Sequence, residues 1–283
     1  MVSLMLGDSE KKHNLEMFYN RSLGAREKLE NLLCQWKEKY PIFIGGSIIY
    51  GIDNNYSDLD VLIIVDDDNE VLPAQTMQFQ IGSTRVDCRM HSKCMIVNQI
   101  EIIERNFNLI VFDRKKPMRL GLSEYTLEAL DRIANGVQFN DINLYLPSYR
   151  QKLALIYAYD RIRDFYGLYQ DSIGALKAEQ YIYAYSRSIA CMEKNIDIYL
   201  ALRGYINNSL KHRYLALKKF FNENLIVDSY VNNLVRKNLN DISYEEIKRS
   251  LLHTNKFHFQ LQSEYVGLVE YYGKQNCIIS TKC

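Results

Sequence analysis

Two aspartates, Asp58 and Asp60, stand one residue apart at the entry of an apolar run, Val61-Leu62-Ile63-Ile64-Val65. In a strand, alternate side chains share a face, so both carboxylates point one way and Leu59 the other. Like charges held that close disfavour each other's ionised form. A hard divalent cation with oxygen ligands, most simply Mg²⁺, relieves the repulsion and keeps positions open for water and phosphate oxygens. Upstream, the apolar run Ile42-Phe43-Ile44 ends in Gly45-Gly46-Ser47. Free backbone N–H groups and a hydroxyl there can hold a phosphate close to the main chain. A helix starting at Ser47 would add partial positive charge. A phosphate cradle in one loop and a metal clamp on the next strand are the parts of phosphoryl or nucleotidyl transfer.

The surrounding elements must hold these groups. Residues 9–40 read as helix, interrupted at 22–25, with Leu29, Leu32, Leu33, Trp36 and Tyr40 on one face. Ile42–Ile44 and Val61–Val65 read as strands separated by a Gly/Asp/Asn loop, followed by an acidic turn over 66–73. Gly82-Ser83 marks a hairpin within 76–90 that carries Asp87 between Val86 and Cys88. Arg85 and Arg89 flank Asp87 at i±2 and share its face; they either approach a triphosphate or compensate the carboxylates. His91, expected just after the strand, is a surface residue or a catalytic one. Further on, the pattern predicts a helix over 95–105, a strand over 109–113, a basic turn over 114–119, and a helix over 123–134 with Leu127, Leu130 and Ile133 on one face.

Asn135-Gly136 to Pro147 is the best domain break. Beyond it no strand is expected. Helices are predicted from about Tyr149, over 173–202, 210–221 and 225–239, and from a capping box at Ser243-Tyr244-Glu245-Glu246 to Tyr272. The expected class is therefore α+β: a mixed β-sheet with flanking helices in residues 1–142, then an all-α bundle in 143–283. Tyr157, Tyr159, Tyr166, Tyr181, Tyr183 and Tyr185 either wall a planar ligand or, as such residues more often do, fill core with their hydroxyls at the rim.

Apolar content of 47% and charged content of 24% describe an ordinary globular protein. No apolar run is long enough for a membrane span, and Met1–Gly7 lacks the basic start of a signal peptide. The six cysteines show no CxxC or Cys/His pairing, as expected of reduced thiols in a cytoplasm. Charge is uneven: residues 1–142 hold 16 Lys/Arg and 21 Asp/Glu, and the remainder holds 19 and 13. A net −5 thus precedes a net +6, which suits a phosphate-rich ligand or is ordinary solvation.

Taken singly, Gly-Gly-Ser is a loop, Asp-Leu-Asp a solvated strand entry and Asp87 an exposed strand residue. Taken in order, the apolar run, Gly45-Gly46-Ser47, ten residues and Asp58-Leu59-Asp60-Val61 resemble the signature of the polymerase-β-like nucleotidyltransferase superfamily. The resemblance covers roughly residues 30–115. It implies catalytic and metal-binding roles for Asp58, Asp60 and Asp87, and two Mg²⁺ ions, with Asp87 alternatively a direct general base. It also implies phosphate contacts from Gly46 and Ser47. Arg203-Gly204-Tyr205 with Lys211 faintly resembles the helical region of antibiotic-type relatives, where a Lys reaches the triphosphate; Asp160 and Asp164 are the nearest candidates for an acidic base there. The implied substrate is a nucleoside triphosphate, ATP foremost. Its acceptor is a small hydroxylated molecule such as an antibiotic. RNA is the alternative acceptor, and a non-catalytic partner of the same fold the alternative class.

Overall fold

In a computed structural model, the structure describes residues 7–21, 24–54, 56–66, 76–112, 122–144, 146, 148–206, 210–220 and 242–280. The chain forms two compact units. One comprises Met5–Glu104 and Gly121–Arg150, the other Met1–Leu4, Arg105–Leu120 and Gln151–Cys283.

The first unit is a five-stranded mixed sheet with helices. Its strands are β1 (Ile42–Gly45), β2 (Leu59–Val65), β3 (Thr76–Ile81), β4 (Thr84–Ser92) and β5 (Val137–Gln138), in the order β3-β4-β2-β1-β5. Only β2 and β4 run parallel; every other pair is antiparallel. Period-two alternation gives the sheet two faces. Leu59, Val61 and Ile63 join Val86, Cys88, Ile42 and Ile44 in a buried cluster with Leu15 and Phe18 of α1 (Asp8–Arg21) and Leu29 of α2 (Ala25–Leu32). Each such fully buried aliphatic contributes about 1.5–3 kcal/mol through removal from water. A short α3 (Cys34–Lys37) follows, and Trp36 packs at the edge of this cluster as expected for a core residue. Asp58, Asp60 and Asp87 belong to the opposite face, the one approached by α5.

Helix α4 spans Lys93–Val111. It overturns the strand expected at 109–113. Ile96, Ile100, Ile103, Phe107 and Ile110 are buried at alternating spacings of four and three residues, so the helical face continues through the run that looked extended. The strand β4 also runs on to Ser92, which puts His91 inside the sheet and buries it rather than leaving it on the surface. Helix α5 (Glu124–Asn135) starts at Ser123, whose Oγ accepts from Thr126 N at 3.1 Å. The strand β5 falls within the stretch read as linker, where only two residues pair with β1.

The second unit is helical in its described residues: α6 (Arg150–Lys177), α7 (Tyr181–Ala201), α8 (Leu210–Phe220) and α9 (Tyr244–Ser280). The single helix expected over 173–202 is instead two. Glu179 adopts φ 59°, and Gln180 N donates back to Ala175 O at 2.9 Å, a left-handed cap made without glycine. Of the tyrosines, Tyr157 and Tyr185 are buried, while Tyr166 and Tyr183 are exposed. The helix expected over 225–239 and the basic turn over 114–119 lie outside the described residues, as does the acidic turn beyond Asp66. Among the described residues no helix is long and apolar enough to cross a membrane. Cys34, Cys88, Cys94 and Cys191 are free thiols.

The expected capping box opens α9, which runs past Tyr272. Ser243 Oγ accepts from Glu246 N at 3.3 Å, and Glu246 Oε2 accepts from Ser243 N at 3.0 Å. Ser243→Ala is expected to cost about 1 kcal/mol and to increase amide exchange in the first turn of α9. Unchanged exchange there would show the cap to be idle.

The centre of this unit holds a buried histidine. His258 stacks on Phe165 with ring centroids 3.6 Å apart, and its Nδ1 lies 2.9 Å from Asn195 Oδ1. Asn195 cannot donate through that oxygen, so Nδ1 carries the proton. Nε2 is then the atom that must protonate in acid, and it has no hydrogen-bond partner among the described residues. Burial lowers the pKa to about 4, as it does for His91 in the sheet. The unfolded chain therefore binds more protons than the folded one between pH 6.5 and 4. Stability falls as pH drops through that window, by up to about 3 kcal/mol for one such histidine. Urea midpoints measured from pH 7 to 5 should decrease, and less so in His258→Gln; equal slopes in the two proteins would refute the assignment.

Candidate active site

Four carboxylates, Asp58, Asp60, Asp87 and Glu128, meet three guanidiniums, Arg85, Arg89 and Arg132, on the α5 side of the sheet. Asp60 of β2 lies directly opposite Asp87 of β4 in the parallel ladder, so both side chains leave the same face one strand spacing apart. Asp58 precedes β2 by one residue. Arg85 Nη2 donates to Asp58 Oδ2 in a short contact and to Asp87 Oδ2 at 3.3 Å. Two carboxylates thus converge on one nitrogen. Arg85 Nε also lies 3.1 Å from Asp87 Oδ1, a buried atom that accepts no aligned hydrogen bond.

Asp60 has a different partner. Arg132 Nη2 of α5 donates to its Oδ1 at 2.7 Å. Burial raises the Asp60 pKa, against the pull of Arg132 and Arg89. Arg132 in turn sits 3.6 Å from Glu128, which pairs tightly with Arg89 of β4. Arg89 also lies over the ring of Tyr125, 5.2 Å from its centroid, and that ring stacks on His91 at 4.3 Å. Successive turns of α5 thus place Tyr125, Glu128 and Arg132 on one side, facing the strand face that carries the aspartates.

The two glycines have a packing role that the sequence did not disclose. A Cβ on Gly46 would overlap the Asp60 carboxylate, and one on Gly45 would lie 2.5 Å from Arg132 Cγ. The Gly-Gly pair is what lets the Asp60–Arg132 ion pair lie against the end of β1. Gly46 also takes φ 77°. Gly46→Ala is expected to cost about 1–2 kcal/mol for the left-handed backbone alone, read as a lowered melting temperature of this unit. An unchanged melting temperature would remove the strain argument.

Ser47 does not begin a helix. Residues 47–51 form a turn closed by Ile52 N to Ser47 O at 3.0 Å, so the expected helix-end charge is absent there, and Ser47 itself is buried. Lys211 lies in the first turn of α8 and its side chain is outside the described residues. Asp164 pairs with Arg161 at 3.0 Å and Lys194 at 3.8 Å, within the helical unit. A cleft of about 560 Å³ opens between α1, α2 and the segment after β5, lined by Lys12, Tyr19, Arg26 and Asn140 among others; none of the three aspartates borders it.

Among the described residues, no three His, Cys, Asp or Glu side chains are arranged to hold a metal ion. Two carboxylates do converge, on the charged nitrogen of Arg85. Mg²⁺ commonly takes one or two carboxylates and completes its shell with water and substrate phosphates. The donor set at Asp58 and Asp87 fits such an ion. Arg132 and Glu128 were invisible to pattern reading because α5 was read only for its apolar stripe. The Glu–Arg spacing of four on that helix was the available signal.

No protein-family model matches the chain, and no curated protein matches its sequence. Among solved structures, a nucleotidyltransferase-like protein from Exiguobacterium sibiricum 255-15 is similar over 88% of this chain and 77% of its own. The TM-score is 0.43 and the identity 11%.

Proposed function

We propose that the protein is a metal-dependent nucleotidyltransferase, moving AMP from ATP to a hydroxyl of a small acceptor such as an antibiotic and releasing pyrophosphate. The observation that carries the reading is the convergence of Asp58 and Asp87 on a single positive nitrogen, beside Asp60 in the same ladder. The signature Gly45-Gly46-Ser47…Asp58-Leu59-Asp60 leads to two of these residues, Asp58 and Asp60.

Asp58 and Asp87 would hold Mg²⁺, with Asp60 beside them in the ladder; the ion when bound neutralises charge on the phosphates and lowers the pKa of the attacking hydroxyl. Asp87, whose Oδ1 is not satisfied by an aligned hydrogen bond, is the group to accept the proton of that hydroxyl. Burial raises the Asp60 pKa, and the Arg132 guanidinium that donates to its Oδ1 opposes that shift. The main chain at Gly46 would meet the β and γ phosphates. Ser47 contributes its hydroxyl only if the turn opens, because it is buried in this structure.

The basic excess of residues 143–283 favours a second reading in which the acceptor is RNA. Incubation with each labelled NTP and Mg²⁺, with and without total RNA and a panel of hydroxylated compounds, separates these. Label on a small compound with pyrophosphate release supports the first reading, and label on RNA the second. No transfer, together with no Mg²⁺-dependent nucleotide binding, would leave a non-catalytic partner of the same fold.

A further inference from the structure

The three arginines around the carboxylates are not equivalent. Arg132 is buried on α5 and tied to Asp60 and Glu128; Arg89 is largely covered and tied to Glu128 and the Tyr125 ring. Among the three, Arg85 has a side chain about half exposed, at 48%, and it stands at the second residue of β4 with no ring or helix above it in its described contacts. Arg85 is therefore the most exposed of the three guanidiniums, and the buried Asp87 Oδ1 that it leaves is an atom the incoming cation can take up. Its Nη2 also stands where the oxygens of Asp58 and Asp87 converge, the point at which a divalent cation would be bound.

We infer that Arg85 is a built-in counter-ion that competes with the divalent cation for Asp58 and Asp87. This rests on the reading of those carboxylates as a cation site given above. With Arg85 in place, the charges facing the site are Asp58, Asp60, Asp87 and Glu128 against Arg85, Arg89 and Arg132, a net of one negative charge. A cation entering must displace the guanidinium and break both of its carboxylate contacts. Once displaced, the side chain has only solvent to cross, so the exchange needs no rearrangement of strand or helix. The bare protein is thereby spared the repulsion of unneutralised aspartates, and metal affinity is held down until Arg85 gives way.

The test is Mn²⁺ binding to the full chain, read as loss of the free Mn²⁺ electron paramagnetic resonance signal, with no nucleotide and no turnover involved. Removing the competing charge in Arg85→Gln is expected to tighten Mn²⁺ binding about tenfold, since about 1.4 kcal/mol per decade is within reach of one charge-assisted pair. Adding Asp58→Asn to Arg85→Gln should abolish the gain, which ties it to this site. Arg85→Lys, which keeps the charge but not the fork, should fall between. Circular dichroism on each variant confirms that the sheet is intact. If wild type and Arg85→Gln bind Mn²⁺ equally, the competition inference is wrong and the cation site stands. If neither binds, the reading of Asp58 and Asp87 as metal ligands falls as well.

Discussion

Asp197→Ala is expected to destabilise the helical unit by about 3–5 kcal/mol, the effect of stranding a buried charge. Asp197 on α7 is 2% exposed, and Arg213 on α8 grips it through two bonds, Nε to Oδ1 at 2.6 Å and Nη2 to Oδ2 at 3.2 Å. Burial raises the Asp197 pKa, and the hydrogen bonds from Arg213 oppose that shift. Without this carboxylate, the guanidinium keeps Glu193 at 3.5 Å. Glu193 is more exposed and does not replace the two lost hydrogen bonds, so the substitution leaves a largely desolvated cation without its chelating carboxylate. Replacing both partners, as in Asp197→Leu with Arg213→Met, should recover much of the loss, since what is costly is the unpaired ion and not the absence of the pair. The two compact units need not unfold together, so native-state hydrogen exchange along α7 is the measurement to use. Equal protection of α7 amides in wild type and Asp197→Ala would refute the argument.

The fold was legible where a pattern could have only one period. Val61–Val65, the Gly82-Ser83 hairpin and the Ser243–Glu246 box each became the predicted element, because alternation, a turn glycine and a reciprocal cap are short-range properties. The run Leu109–Val111 misled because a β-branched apolar stretch fits either period. Only the burial of Ile103, Phe107 and Ile110 on one face decides for helix. The break at Glu179 was hidden because a left-handed cap was expected at glycine or asparagine, and here the flanking hydrogen bonds hold a glutamate in it. In the site, the acidic residues could be found from spacing, whereas their partners could not. Arg132 lies 72 residues from the Asp60 it contacts, and nothing local in either segment points to the other. The same long-range pair supplies a second reason for Gly45 and Gly46, whose missing side chains make room for it. A glycine pair read only as a phosphate cradle therefore carries two constraints, one from chemistry and one from packing.

Asp87→Asn is the substitution that most sharply separates those constraints, and it is expected to reduce nucleotidyl transfer by about 10²–10⁴-fold, the range for removing a positioned proton acceptor or metal ligand. The amide has the shape of the carboxylate, so the β4 ladder and the packing of Val86 and Cys88 beneath it are preserved. Asp58 remains as the charged partner of Arg85 while the new amide oxygen can still accept from it, and an ion pair between such exposed groups adds little to stability. The melting temperature should accordingly stay within a degree or two while the single-turnover rate collapses. Glu128→Gln makes the contrast. It removes a negative charge from the same face, yet Glu128 pairs with Arg89 and Arg132 and has no described contact to Asp58 or Asp87. Its loss should loosen α5, lower the melting temperature and change the rate less than tenfold. If Asp87→Asn and Glu128→Gln instead lowered rate and stability in parallel, Asp87 would be one more member of an ion-pair network that fastens α5 to the sheet. A rate loss at constant stability would place Asp87 in the reaction centre and not in the ion-pair network that fastens α5.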